Sequence, residues 1–429
     1  MLKYVLLTAI LFNCFLVYKV VPKSNKSAVF LVLILASYWV LNFFLHPVLF
    51  IVSNNLNIAT TIFDERIDPN SAQFNNLLTQ IVLGTLVFCT TLHLIFRRPS
   101  KSVNVFKPEI STKAEFYIIN LGIVAAIASL IVENTDLRNP ITKALAASGA
   151  TYYAVFLWKK DFAIKSKAQK YVTHVLGIFS LLIISSSQGN SKGVLLLPAV
   201  IFIYRKWTLI PKRSKLLKSI FALLLTIFGI IIFNVLQTRK LGQIAISQST
   251  RYGDSLPWNL GFFLPISERF DQFARLIDAN IAGVGTLGGY FNWFVFFIRS
   301  LIWNPSTGRV ERGFGELWNS EVTNLSFKNA IKSDVSFAPG MIAESYIWGG
   351  FLSLIIGCSL MAVVFFIVAN LLERGILFAI LGVGILSNGT LFEAGIISFG
   401  YKLTESLKIF LFSWIIFMFL GSQKRYGSG

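Results

Sequence analysis

The chain consists largely of apolar blocks about 17–25 residues long, separated by short polar segments. A block of this length crosses the hydrocarbon core of a bilayer as an α-helix, in which each backbone hydrogen bond is made within the segment. The pattern predicts eleven spans, at residues 4–21, 28–52, 77–96, 115–132, 141–158, 171–187, 193–207, 218–236, 347–372, 375–392 and 405–421. The predicted fold class is therefore an all-α polytopic integral membrane protein.

Basic residues between the blocks set the predicted orientation. The chain is 55% hydrophobic and 14% charged, with a formal net charge of +19, and its basic loops follow the odd-numbered spans. Loops rich in Lys and Arg stay in the cytoplasm. The alternation predicts that these loops are cytoplasmic and that the N-terminus lies outside. It also accounts for the positive charge, so no nucleic acid is expected as a partner.

The predicted spans divide the chain into three regions. Residues 1–237 form an N-terminal bundle of about eight spans, residues 238–345 a long extracytoplasmic loop, and residues 346–429 a C-terminal region of about three spans. The loop holds ten basic and nine acidic residues, and seven of the ten basic ones are Arg. Because Arg offers a planar fork that matches phosphate and carboxylate, this bias favours anion recognition.

Within the loop, residues 266–278 are typical of an amphipathic helix. Its apolar positions follow i, i+3, i+4 and i+7 spacing, at Phe270, Phe273, Ala274 and Ile277. A second line consists of Asp271, Arg275 and Asp278. This line forms ion pairs on a solvated face, or else Arg269 and Arg275 face a cavity at membrane level and hold a phosphorylated lipid. The spacing alone leaves both alternatives open.

Residues 288–303 are strongly apolar and aromatic. A twelfth span here would move every later loop to the wrong side, so the pattern favours an interfacial or re-entrant helix. Its aromatic side chains either pack against the bundle or stack on sugars or a polyprenyl chain.

Two further polar groups lie at predicted membrane boundaries. Glu344 follows the Pro339-Gly340 turn and enters the outer end of the ninth span, where a carboxylate is unfavourable unless it is paired or functional. Alternatively, Glu344 stabilises the N-terminal dipole of that same helix. Lys192 belongs to a polar turn between two short spans, which is either an anion-binding nest of backbone N–H groups or a plain turn with a snorkelling lysine.

Three stretches resemble the Wzy-type oligosaccharide repeat-unit polymerases and the related O-antigen ligases. Residues 187–192 are similar to the S-x-S-(R/K)-(G/S) motif that opens a mid-chain span, and Glu268-Arg269-Phe270 resembles the Arg early in the long loop. Residues 339–350 resemble the P-x-x-x-G-E-x-Y-x-x-x-G motif that closes the loop, with Ala343 where the family usually has Gly.

The resemblance implies a GT-C-like helical fold at the outer face of a bacterial inner membrane. The family joins undecaprenyl-pyrophosphate-linked glycans by transferring one lipid-linked chain to an acceptor hydroxyl on another, which releases undecaprenyl pyrophosphate. It implies no metal, nucleotide sugar or other cofactor. The expected partners are the lipid-linked glycan, the lipid bilayer and, as a candidate, a chain-length regulator protein.

This reaction asks for cations at the leaving pyrophosphate and a general base at the acceptor hydroxyl. By the resemblance, the expected substrate-binding residues are Arg269, Arg275, Arg251, Arg312 and Lys192. The expected base is Glu344, with Asp271 second.

Three rival functions stay open at this point. An O-antigen ligase differs in its acceptor and commonly has a His near the end of the loop, which this loop lacks. A flippase or other transporter of lipid-linked oligosaccharide would favour short loops on both sides and charges inside its spans. A scaffold without catalytic activity would tolerate the loss of the loop arginines.

Overall fold

A computed structural model describes residues 1–53, 67–97, 112–133, 140–159, 167–187, 192–209, 272–302, 340–386 and 395–422. Every regular element in these ranges is a helix. The helices are α1 (Leu2–Val20), α2 (Lys26–Trp39), α3 (His46–Ser53), α4 (Ala72–Arg97), α5 (Thr112–Glu133), α6 (Pro140–Trp158), α7 (Lys167–Ser187), α8 (Lys192–Leu209), α9 (Gln272–Ala282), α10 (Gly289–Leu301), α11 (Gly340–Glu373), α12 (Ile376–Leu386) and α13 (Ile396–Ser422). A π-helical segment, Val40–Leu45, joins α2 to α3.

The helices have the apolar outer surface of a membrane protein. Within the described ranges, six helical segments are long and apolar enough to cross a bilayer. Large apolar side chains such as Val175, Leu182, Leu411 and Met418 point away from the bundle and are more than half exposed. A helix in water would carry polar residues on such a face. The prediction of a polytopic helical membrane protein is therefore confirmed, while the count of eleven spans stays a prediction because residues 218–236 lie outside the described part.

Helix α4 lies at the centre of one packed group, where it contacts α1, α11 and the end of α2. Trp39 and Phe365 pack edge-on against Phe88 of α4, with ring centroids 5.4 and 5.9 Å away. Helices α5, α6 and α7 form a second group, in which Tyr152 of α6 fills the space beside Gly122 of α5. Small residues at such contacts let membrane helices approach closely.

Polar contacts gather four predicted cytoplasmic loops at one end of the bundle. The Glu373 carboxylate accepts a hydrogen bond from the Ser27 backbone N–H at 2.8 Å. Arg205 donates to the Leu157 carbonyl at 3.2 Å, and Lys159 donates to the carbonyl of the residue after Glu373. These residues follow or precede the loops after the first, fifth, seventh and ninth spans. The described helix ends that border these four loops therefore lie together, and their assignment to the cytoplasmic side stays a prediction.

The N-terminus lies at a different end, beside residues 67–70. Lys3 donates a hydrogen bond to Asn70 at 2.7 Å, so α1 starts where the chain turns into α4. Helix α9 also packs near this start of α4, because Asn280 and Gln80 exchange two hydrogen bonds of 2.8 and 3.0 Å. The described part of the long loop therefore lies at the end that also holds the N-terminus.

Helix α11 breaks within the first residues of the span predicted at 347–372, and only its long part after the break agrees with that span. Its backbone leaves helical geometry at Gly349 and at Gly350, whose φ is 69°. Across this break, Ser353 donates a hydrogen bond to the Ser345 carbonyl, although eight residues along a straight helix are about 12 Å apart. Ser345 also meets Gly357. Residues 340–348, the re-entrant half-helix, therefore fold back along the long part of α11.

The last helix is longer than predicted. The spans predicted at 375–392 and 405–421 leave residues 393–404 as a connection on the outer side, whereas α13 begins at Ile396. Its first turns pack on α10, where Thr404 donates a hydrogen bond to the Ser300 carbonyl at 3.2 Å. Because this polar contact is between helices, the polar residues there do not mark a loop.

Candidate functional site

The re-entrant half-helix, α10 and the start of α13 meet around Glu344. The Glu344 side chain is fully buried, and its Oε1 accepts a hydrogen bond from the Ile397 backbone N–H at 3.2 Å. The first N–H groups of a helix have no partner within that helix, and a carboxylate is favourable there. Glu344 therefore caps α13, a helix other than its own, so the alternative that it serves the N-terminus of its own helix is wrong.

Gly395 provides the space that this contact needs. A Cβ atom at position 395 would lie 2.2 Å from Cδ of Glu344, far inside van der Waals contact. Gly395 comes directly before α13, so its missing side chain lets the carboxylate reach the helix N-terminus.

A Gly395→Ala substitution is expected to push the carboxylate away from α13 and to lower both stability and activity. Glu344→Asp shortens the side chain by one methylene group and relieves the clash. We therefore expect the double variant to melt at a higher temperature than Gly395→Ala alone, as measured by fluorescence-detected unfolding in detergent. Additive losses in the double variant would contradict the contact.

The second carboxylate oxygen of Glu344, Oε2, is buried and lies beside the Trp293 indole. Within the described residues, Oε2 of Glu344 has no hydrogen-bond partner, and neither does the indole N–H of Trp293. The two side chains lie beside each other, although the indole N–H is outside hydrogen-bond geometry. Buried polar groups normally have partners. Oε2 is therefore the oxygen that is left to accept a hydrogen bond or a proton.

Helix α9 carries a buried ion pair. Arg275 donates to Asp278 at 2.8 Å, and their side chains are 7% and 0% exposed. The alternative of a solvated face for these two residues is wrong, because α9 packs against α4 and α11. Phe273 and Ile277 are buried, as the apolar spacing predicted, and Phe273 lies between the rings of Phe74 and His46.

Helix α10 forms one wall of the site. Near its start, the Tyr290 hydroxyl donates to the Gly349 carbonyl at 2.8 Å, which holds the break in α11. Trp293 and Ser300 are buried on its inner face, whereas Phe291 and Phe294 are 76% and 62% exposed on its outer face. The prediction of a helix in this aromatic stretch is confirmed, and its inner face packs against α11 and α13.

The structure describes only some of the residues predicted for the site. Glu344 and Arg275 are both buried, in the half-helix and in α9. Lys192 is the first residue of α8, and its side chain lies outside the description. The remaining predicted residues lie outside the described ranges, and they are Arg251, Arg269, Asp271 and Arg312.

Sequence reasoning missed three groups around Glu344. They are the Trp293 indole, the space at Gly395 and the Ile397 N–H. Trp293 belongs to the aromatic stretch of residues 288–303, and nothing in the local sequence distinguishes Gly395 or Ile397.

Comparison with known proteins gives no relative for this chain. No family model matches it, and no curated protein or solved structure gives a significant match. Only the chain's own motifs and geometry therefore bear on its function.

Proposed function

We propose that this protein polymerises undecaprenyl-pyrophosphate-linked oligosaccharide repeat units at the outer face of a bacterial inner membrane. The observation that carries the proposal is the Glu344 carboxylate, buried beside α10 and α13 with one oxygen bound and one without a partner in the described residues. The motif around Glu344 adds the resemblance to Wzy-type polymerases, and the all-helical fold is compatible with a GT-C-like architecture.

In the proposed reaction, the acceptor hydroxyl oxygen bonds to the anomeric carbon of the donor glycan. The bond from that carbon to the pyrophosphate oxygen breaks, and undecaprenyl pyrophosphate leaves with the bonding electrons. The hydroxyl proton passes to Oε2 of Glu344. A base must be oriented toward the proton that it removes. The hydrogen bond from the Ile397 N–H to Oε1 holds the carboxylate in one orientation, and Oε2 has no partner in the described residues.

Cations are needed where negative charge develops on the leaving pyrophosphate. Arg275 is the described member of the proposed set, together with Arg251, Arg269, Arg312 and Lys192. Its pairing with the buried Asp278 carboxylate fixes the position of the guanidinium. Asp271 is the second candidate for the base.

One observation favours a transporter of lipid-linked oligosaccharide as a second candidate. Helices broken within the bundle are typical of substrate sites in transporters, and α11 is broken at Gly349 and Gly350. An O-antigen ligase would use the same donor chemistry with a different acceptor.

Purified protein in detergent, supplied only with undecaprenyl-pyrophosphate-linked repeat units, tests the proposal. We expect longer lipid-linked products, resolved by gel electrophoresis or mass spectrometry. A transporter moves its substrate without changing it, and a ligase lacks its acceptor in this mixture. Unchanged substrate with folded protein would therefore contradict polymerase activity. Glu344→Gln protein is the matched control and is expected to leave the substrate unchanged.

A further inference from the structure

Three charged residues, Lys402, Glu405 and Lys408, lie inside the span formed by α13, and two of them form an ion pair. The apolar span covers Phe399–Leu420, and within it Lys408 donates to Glu405 at 2.7 Å. The Lys408 side chain is 9% exposed and that of Glu405 is 41% exposed. Charged groups at membrane depth generally face a bundle interior or a polar cavity and mark substrate pathways. The Glu405 carboxylate therefore lies at the surface of the helix bundle, whereas the Lys408 side chain lies mostly inside it.

Helices α10 and α13 run in the same direction. Trp293 lies beside Glu344, whose carboxylate binds the start of α13 at Ile397. Seven residues further along α10, Ser300 meets Gly400 and binds Thr404 of α13. Position therefore increases along both helices together, as it does in a parallel pair.

This parallel packing places Arg299 and Lys408 on the same side of the helix pair. Successive helical residues are rotated by about 100°. The face of α13 that meets Ser300 is centred between Gly400 and Thr404. Seen from the N-terminus of α13, Lys408 lies about 60° clockwise from this face. Arg299 lies about 100° counter-clockwise from Ser300 on α10 and is exposed. When two parallel helices face each other, a clockwise rotation on one and a counter-clockwise rotation on the other point to the same side of the pair.

Below the end of α10, the face of α13 that meets Ser300 becomes an exposed apolar strip. Leu407, Leu411 and Ile415 continue this face and are 40%, 54% and 52% exposed. The chain therefore presents cationic groups directly next to an apolar surface at membrane depth. An amphiphile with an anionic head and a long hydrocarbon chain matches both parts.

We propose that Arg299 and Lys408 bind the phosphate of a polyprenyl phosphate lipid, whose hydrocarbon chain lies along Leu411 and Ile415. This inference rests on the proposed function, since the same lipid class carries the glycan. Arg and Lys both form charge-assisted hydrogen bonds to phosphate. With Arg299, the Glu405–Lys408 pair has a net charge of +1, which complements an anionic head group.

Glu405 acts in this site as an internal competitor. In the structure its carboxylate binds Lys408, the group that the phosphate would use. The lipid therefore has to displace Glu405, and removing the Glu405 charge should strengthen binding while removing the Lys408 charge should weaken it. A purely structural ion pair predicts no opposite effects of the two substitutions on lipid affinity, because either substitution breaks the pair.

Titration of the purified full-length protein with undecaprenyl phosphate, followed by thermal unfolding, tests the site. Ligand that binds the folded state raises the melting temperature with concentration. We expect Lys408→Met to weaken the apparent affinity at least tenfold and Glu405→Gln to strengthen it severalfold. Equal affinities, or a change in the same direction in both variants, would overturn the proposal. Each variant is titrated from its own ligand-free melting temperature, so a change in stability alone cannot imitate a change in affinity.

A control variant and two control ligands identify the ligand and its binding position. Lys402 lies about 120° around α13 from Lys408, so Lys402→Met is expected to bind undecaprenyl phosphate like the wild type. Equal stabilisation by inorganic pyrophosphate would overturn the lipid part of the proposal, and equal stabilisation by undecaprenol would overturn the phosphate part. Binding is measured here without turnover. If Lys408→Met and Glu405→Gln shift the affinity in opposite directions but the protein makes no polymer, only the proposed polymerase function is contradicted.

Discussion

A Glu344→Gln variant is expected to make no polymer in a cell that lacks its own polymerase, while its protein level stays at that of the wild type. Glutamine keeps the size of the side chain and an oxygen that can accept from the Ile397 N–H. It cannot take a proton from an acceptor hydroxyl. Since a general base contributes about 10²–10⁴-fold to a rate, the polymer ladder should disappear on a gel while an immunoblot shows normal protein.

Glu344→Ala provides the comparison for the capping contact. It removes both the proton acceptor and the group that binds the start of α13, a contact worth about 0.3–2 kcal/mol at a helix N-terminus. We therefore expect Glu344→Ala to lower the melting temperature as well as the activity. Normal ladders in Glu344→Gln, together with a destabilised Glu344→Ala, would show that Glu344 only caps α13.

An Arg275→Ala variant is expected to lose about 3–5 kcal/mol of stability, because it removes the guanidinium that pairs with the buried Asp278 carboxylate. Asp278 is 0% exposed, so water cannot replace the guanidinium without local unfolding. The measurement is the melting temperature in detergent, together with the protein level in the membrane. A loss below 1 kcal/mol would contradict the buried pairing.

The double variant Arg275→Met/Asp278→Leu separates folding from substrate binding at this position. Replacing both partners of a buried pair by apolar residues of similar volume is often neutral or stabilising. We therefore expect the double variant to recover the wild-type protein level but to make no polymer, because the proposed pyrophosphate contact is gone. Recovery of normal polymer would remove Arg275 from the substrate site and leave the pair as a structural feature.

The helices could be predicted from sequence where their signal is local. The length of an apolar block is a property of consecutive residues, so α1, α4 and α5 agree with the predicted spans within a few residues. The break in α11 carries no such signal. Residues 340–348 are apolar apart from Glu344 and its neighbour Ser345, and a Gly-Gly pair hardly changes the hydropathy of a block. The fold-back depends instead on distant contacts, such as that of Tyr290 with Gly349.

The candidate site was predictable only in part for the same reason. A carboxylate in an apolar context marked Glu344, and the surrounding motif supported it. Its partner Ile397 is 53 positions away, and Gly395 matters only because the carboxylate comes close to it. The polar residues at the start of α13 predict a loop when only neighbouring residues are considered, because the contact of Thr404 with Ser300 is 104 positions away in sequence.

The fold-back of α11 has a consequence for how the protein is assembled in the membrane. Nine helical residues extend about 13 Å, less than half of the hydrocarbon core, so residues 340–348 cannot insert as a span of their own. The long part of α11 must cross first, and the carboxylate of Glu344 finds its N–H partner only after α13 has been synthesised. Residues 340–348 therefore reach their final place late in biogenesis, after the last helix has entered the bilayer.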